Sequence, residues 1–262
     1  MKKHFKIFIC YFKLNLASSL EYRAGFISQA FGMALSNSSF IFFWWIAFGQ
    51  VGGPIAGYTF EDVLFIWAVA SSAFGLRGIL FQNASRLTEL IVTGELDTLI
   101  LQPCNILVNL LCGKTSLTAY GDFIYGFVIM LIFYTGNLYA WLWFLAGVLI
   151  GGLIFTAIYL TAHSLSFFIG DATAIAQFSA ELAISFSLYP DKIFPPLIRA
   201  FMYSVIPVGF AVHVPLRLFD NFSLSVAMLA LLAAILYCIF SGFLFYRGLR
   251  RYESGNIVVT RQ

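Results

Sequence analysis

Six apolar runs separated by short polar stretches organise the chain: Ala24–Phe48, Phe60–Phe81, Leu117–Phe133, Trp141–Phe168, Ala172–Tyr189 and Leu224–Tyr246. About 20 mostly apolar residues carry a helix across a bilayer, so the pattern predicts six membrane-spanning helices. Membrane barrel strands alternate apolar and polar residues over about 10 positions, and no segment here sustains that alternation. A seventh stretch, Phe201–Val214, is too short to span and is punctuated by Pro207 and Pro215. It predicts a re-entrant or interfacial hairpin, since broken backbone at membrane depth survives only where protein or a cavity covers it.

Composition agrees. Of 262 residues, 61% are hydrophobic, 18% aromatic and 10% charged, against roughly 25% charged in soluble domains. A soluble domain of this size lacks the interior to hide so many apolar side chains, and disordered, fibrous and disulfide-rich secreted classes fail on the same grounds. The expected fold is an all-α integral membrane protein forming one domain over 1–262. Its predicted parts are an interfacial helix (1–23), spans one and two (24–81), a cytoplasmic region (82–114) and spans three to five (117–189). An outer re-entrant region (190–223), a sixth span (224–246) and a tail (247–262) complete it.

Basic residues orient this layout. Lys2, Lys3, Lys6, Lys13 and Arg23 precede the first span, Arg77, Arg86 and Lys114 flank the second connection, and Arg247, Arg250, Arg251 and Arg261 follow the last span. Lys192, Arg199 and Arg217 alone fall on the other side. The positive-inside rule then places both termini in the cytoplasm, with Trp44, Trp45, Trp141 and Trp143 expected in interfacial belts. The start resembles a signal peptide, but Lys13, Asn15, Glu21 and Arg23 interrupt its apolar run and no small-residue cleavage site follows. Its lysines and Phe5, Phe8, Ile9, Phe12 and Leu16 form adjoining stripes on a helical wheel, which suits a helix lying on the membrane surface.

Few residues carry chemistry. No HExxH, GxSxG or paired-histidine set is present, and the four cysteines show no metal spacing. Gly113-Lys114-Thr115 imitates the end of a phosphate-binding loop, but Val108 stands where that loop needs glycine. Neither a catalytic centre nor a metal site is expected, and no nucleic-acid partner. His163 and His213 read as isolated structural residues. In the 82–114 connection, Ser85 is expected to cap a short helix carrying Glu89 and broken by Gly94; a second, opened by Glu95-Leu96-Asp97, would end at Pro103. Its apolar residues fit either a helix resting on the membrane or one inserting into a cytoplasmic partner.

In the fifth span Thr173, Gln177, Glu181, Ser185 and Tyr189 recur every four residues and share a face. Glu181 reads as the one strongly ionisable group in mid-span, where a carboxylate costs about 2.5–3.5 kcal/mol. It predicts either a polar path or a packing face, with Gln29, Ser36 and Asn37 of the first span and Ser71 and Ser72 of the second completing a lining or bonding between helices. Gly147 and Gly151 predict a close helix contact.

Three patches carry a family resemblance. Gly94-Glu95-Leu96-Asp97 running to Leu101-Gln102-Pro103 resembles the cytoplasmic signature of ABC-2-type exporter permeases. Tyr189-Pro190 and Ile206-Pro207-Val208-Gly209-Phe210, followed by Pro215, resemble the outer region of one branch of that family, and Leu249-Arg250-Arg251-Tyr252-Glu253-Ser254 resembles its ending. The resemblance implies a permease subunit in the plasma (inner) membrane that pairs with a second permease, preferably a different one, among membrane lipids. A separate ATPase subunit would bind ATP and Mg, so this chain carries no cofactor. Carried onto this chain, Arg86, Glu89, Gly94, Glu95, Leu96, Asp97 and Pro103 would couple to the ATPase. The resemblance likewise gives Pro190, Pro207, Phe210 and Pro215 to the outer gate, while the shared helix face offers Gln177, Glu181 and Ser185, with Gln29 and Ser36, as the lining of a translocation path. The importer counterparts' coupling loop is absent, which favours export; an aromatic and apolar lining would suit an amphipathic or lipophilic, lipid-like cargo, with Glu181 as the residue that would favour cationic groups. A channel, a small secondary transporter and an assembly scaffold are the competing classes.

Overall fold

The computed structural model describes residues 2–21 and 23–253, the side chains of residues 2–6 and 20 excepted, so Lys2, Lys3, Phe5, Lys6, Ser254 and Arg261 from the sequence analysis lie outside the described residues or side chains. The described chain is helical without a β-strand. In order come α1 (Lys2–Glu21), α2 (Arg23–Val51), α3 (Phe60–Leu80), α4 (Leu87–Val92), α5 (Leu96–Ile100), α6 (Ile106–Cys112) and α7 (Leu117–Phe133). Then follow α8 (Leu138–Ser164), α9 (Ser166–Ile169), α10 (Thr173–Leu188), α11 (Pro196–Ser204), α12 (Val208–Asp220) and α13 (Leu224–Leu249).

Four helices, α2, α3, α13 and the run Leu138–Ile169, are long and apolar enough to cross a bilayer, and α6–α7 and α11–α12 are bent pairs that pass the same test together. The all-α membrane class is as expected, while the spans are less uniform than six equal runs. At 1.5 Å per residue, the 16 residues of α10 reach about 24 Å. It nonetheless runs end to end: Ala172 N, just before it, meets Ser166 Oγ at one end, and Asp191, just after it, meets the Tyr58 hydroxyl at the other. The first end also holds α1, α4–α6 and the base of α13, where Asn105 Nδ2 donates to Tyr246; we call it the basic end. The other carries α11 and α12 and is the hairpin end.

α3 is buried along most of its length and forms the axis of the subunit, whereas α2 and α13 expose most of theirs. Its capping box, Thr59 Oγ1 accepting from Asp62 N while Asp62 returns a bond to Thr59 N, sets its start. Small residues permit close approach, the main device of membrane helix packing: a Cβ on Gly75 would sit 2.7 Å from Ala119 O of α7. The Gly147–Gly151 contact is present, with α8 against Val69 and Ala73 of α3 and Pro215 of α12.

Two departures concern proline. Pro215 was expected to end an apolar piece, yet it lies inside α12, which continues to Asp220. Its ring packs on the glycine surface of α8 at Gly147, and that packing offsets the lost backbone bond. Pro207 does make a turn: α11 and α12 meet there at 101°. The apex is deep, because Val205 O accepts from Tyr237, halfway along α13. The hairpin thus turns level with the middle of α13. The expected tryptophans Trp44, Trp45, Trp141 and Trp143 all sit toward the hairpin end, near the end of α2 and the start of α8.

Candidate functional site

At the basic end the 82–114 segment folds as a small cap. Ser85 does not cap α4. It sits in a preceding 3-10 turn and donates to Gln82 O at 2.6 Å, so the cap position falls to Arg86, whose side chain makes no capping bond. Gly94 ends α4 with φ +77°, a left-handed backbone that glycine adopts freely. α5 stops at Ile100, three residues ahead of Pro103, because the chain before a proline is driven out of helical geometry. Leu87, Leu90, Ile91 and Leu96 turn inward onto Leu160, Phe167 and Phe245, which seats the cap on α8, α9 and α13. Glu89 and Glu95 face outward, and Asp97 is half-buried. Arg86 holds Glu89 in a two-bond pair (2.8 and 2.9 Å), whose hydrogen bonds and charge keep that carboxyl below its ordinary range.

The cap is fastened to the bundle by a polar cluster that composition did not announce. Thr88 Oγ1 lies 2.9 Å from His163 Nδ1 and 2.7 Å from Ser166 Oγ. The His163 ring stacks on Tyr159, and the Arg77 guanidinium lies 4.0 Å over that same Tyr159 ring. Arg77 is 3% exposed within α3 rather than beside the connection, and donates to Gln82. α1 lies across the same end, with Tyr11 donating to Asn109 and Asn15 to Cys112 O.

The expected polar lining does not form inside one subunit. Gln177, Glu181 and Ser185 lie on an exposed face of α10, and Gln29 and Ser36 on exposed positions of α2. The reason is position: α2 packs mainly on α7 and α10 mainly on α8, so both are rim helices whose exposed faces point away from the described bundle. Ser72 is absorbed by packing, donating to Phe123 O at 2.9 Å. Glu181 is also not the sole ionisable group at depth. Asp122 of α7 is 4% exposed and accepts from Asn37 Nδ2 of α2 at 2.8 Å. With Asn37 and Ser71 it borders a cavity of about 140 Å³. An acid inside the third apolar run was a readable signal.

At the hairpin end Asp191, fully buried, collects the Tyr58 hydroxyl (2.5 Å), the Tyr203 hydroxyl (2.8 Å) and the Arg217 guanidinium. Pro190 is buried beside it and Pro207 forms the elbow. The Phe210 ring meets Tyr203 edge-on at 5.2 Å. His163 and His213 are both buried and bonded, the latter to Phe186 O.

The described chain is thus a helical membrane subunit with a small cap at its basic end and a bent helical hairpin at the other. The chain matches the family model described as ABC-2 family transporter protein over residues 35–255, and it belongs to that family. No curated protein matches it.

Proposed function

We propose that this chain is the membrane-spanning subunit of an ATP-driven exporter, moving an amphipathic or lipophilic, cationic or lipid-like substrate outward. It works in the plasma (inner) membrane with both termini in the cytoplasm, the orientation that its basic end supports. ATP and Mg belong to a separate ATPase subunit, and this chain performs no catalysis. The observation that carries the reading is the cap: its apolar side is seated on α8, α9 and α13 while Glu89 and Glu95 project away from the bundle. Arg86, Gly94, Asp97 and Pro103 shape that projecting surface, and Leu96 anchors it from beneath. A rigid-body closure of the ATPases pushing on it would be transmitted to α8 through Thr88 and His163.

The exposed polar stripe of Gln177, Glu181 and Ser185, with Gln29 and Ser36, supports pairing with a second permease subunit. Polar groups at membrane depth avoid lipid and face partners or a polar path. We assign the stripe to the surface where two permeases meet and cargo passes, with a heterodimer favoured, and Pro190, Pro207, Phe210 and Pro215 to the outer gate.

The test replaces Glu95 and Asp97 together by alanine in the assembled complex. Substrate-stimulated ATP hydrolysis and export in proteoliposomes are expected to fall about tenfold or more, the loss of about 1.4 kcal/mol or more of coupling, while the permease keeps its melting temperature. Wild-type rates of both would sink the docking assignment.

A further inference from the structure

The cavity beside Asp122 has features that the export reading does not need. It lies inside one subunit, between α2 and α10, and is floored by α3, α7 and α8. Its floor residues Trp67, Ser71, Asp122 and Phe155 are buried, whereas Met33, Asn37, Ile184 and Leu188 at its rim are half-exposed. The wall is thus aromatic and apolar around one carboxylate. One Asp122 oxygen accepts from Asn37 Nδ2, and among the described residues no cation lies within ion-pair distance of it. Arg77, the cation whose field reaches it, is turned onto the rings of Phe74 and Tyr159 at 4.9 and 4.0 Å.

We propose that this cavity is a subsite for the ammonium headgroup of a cationic amphiphile, with Asp122 as counter-ion and Trp67, Phe74 and Phe155 as the wall. Three physical points converge. A carboxylate in an apolar surround attracts positive charge far more strongly than one in water. Aromatic faces carry negative potential, so they favour a quaternary or methylated ammonium and disfavour an anion. The volume of about 140 Å³ matches a group about the size of a benzene ring, which admits one headgroup and leaves an acyl or alkyl chain to follow α2 and α10 toward the lipid. The proposal rests on the export reading by naming the cargo's polar end, and it makes Asp122, not Glu181, the residue that selects charge.

The test uses the full-length permease in lipid nanodiscs, without ATP or ATPase, titrated by equilibrium dialysis. The probes are choline and 3,3-dimethylbutanol, a neutral isostere with carbon in place of nitrogen. Saturable choline binding is expected, at least tenfold tighter than that of the alcohol. Asp122→Asn preserves shape and still offers Asn37 an acceptor, so it should weaken choline at least tenfold and leave the alcohol unchanged. Should that variant fail to fold, Met33→Trp at the half-exposed rim blocks entry and should abolish binding of both probes with Asp122 intact. No saturable choline binding, equal binding of the two probes, or choline binding unaffected by either variant overturns the proposal. Because the measurement omits ATP, its failure leaves ATP-coupled export standing, and a failure of the Glu95/Asp97 test leaves the subsite standing.

Discussion

Replacing Asp191 by alanine is expected to destabilise the folded subunit by about 3 kcal/mol, the low end of the range for breaking a buried ion pair. Asp191 is 0% exposed and joins three parts of the hairpin end through Tyr58 before α3, Tyr203 on α11 and Arg217 on α12. Truncation removes both acceptor oxygens and leaves two hydroxyls and a partly hydrated guanidinium without their partner. The low end applies because the Arg217 side chain is 44% exposed and keeps part of its hydration. Asp191→Asn preserves shape and one acceptor oxygen, so it should lie between wild type and alanine. The measurement is the melting temperature of the purified permease by fluorescence-detected size exclusion. Equal melting of wild type and Asp191→Ala would remove the latch from the account.

The same cluster predicts an acid limit. Burial alone would raise the Asp191 carboxyl, but the Tyr58 hydroxyl, the Tyr203 hydroxyl and the charge of Arg217 together hold it below its ordinary value. A group whose pKa is lower in the folded state contributes stability above its unfolded value, about 3.9 for aspartate, and loses it as pH falls through the folded one. Wild-type melting should therefore drop on acidification below about pH 4, and Asp191→Asn should show a smaller drop over that window.

How much of this was readable in advance depends on the kind of signal. α2, α3, α8 and α13 were legible because length and apolarity alone identify a membrane helix. The hairpin was legible from proline placement, and the Gly94 break from one residue's backbone freedom. What stayed hidden is which face of each helix meets which neighbour, since a helix apolar all round carries no periodic signal. Glu181 could therefore be placed in mid-span but not on the rim where it lies, Asp122 passed unnoticed and lies at the floor of a cavity, and Arg77 looked like loop charge yet stacks on Tyr159. The Asp191 cluster draws on Tyr58, Tyr203 and Arg217, separated by up to 159 positions of chain; only tertiary folding brings them together. Pro215 shows the reverse error, a local rule overruled by the glycine surface of α8.

Substituting Gly126 by leucine is expected to have the largest effect of all, loss of the folded subunit. α3 and α7 run antiparallel in close contact. Gly78 and Gly75 of α3 meet Ala119 and Phe123 of α7, and Gly126 of α7 then meets Ala68 and Ser72 of α3. A Cβ on Gly126 would overlap the Ala68 carbonyl oxygen and the Ser72 hydroxyl. The first of these is backbone and does not move aside by changing rotamer. Alanine there should cost about 1–3 kcal/mol, the usual range for overpacking. Leucine cannot be seated without separating the two helices, which would also break the Ser72-to-Phe123 hydrogen bond and shift Asp122 away from Asn37. In a bilayer no hydrophobic driving force compensates, because lipid solvates the exposed faces as well as leucine does. The check is a graded series, Gly126→Ala and Gly126→Leu, read as monodisperse yield and melting temperature, with Gly25→Ala and Gly25→Leu on α2 as the matched control, since a Cβ on Gly25 meets nothing within 4 Å. The packing argument requires a stepwise decline at position 126 and nearly none at position 25; parallel losses at both would mean that glycine content, not the α3–α7 contact, governs the fold.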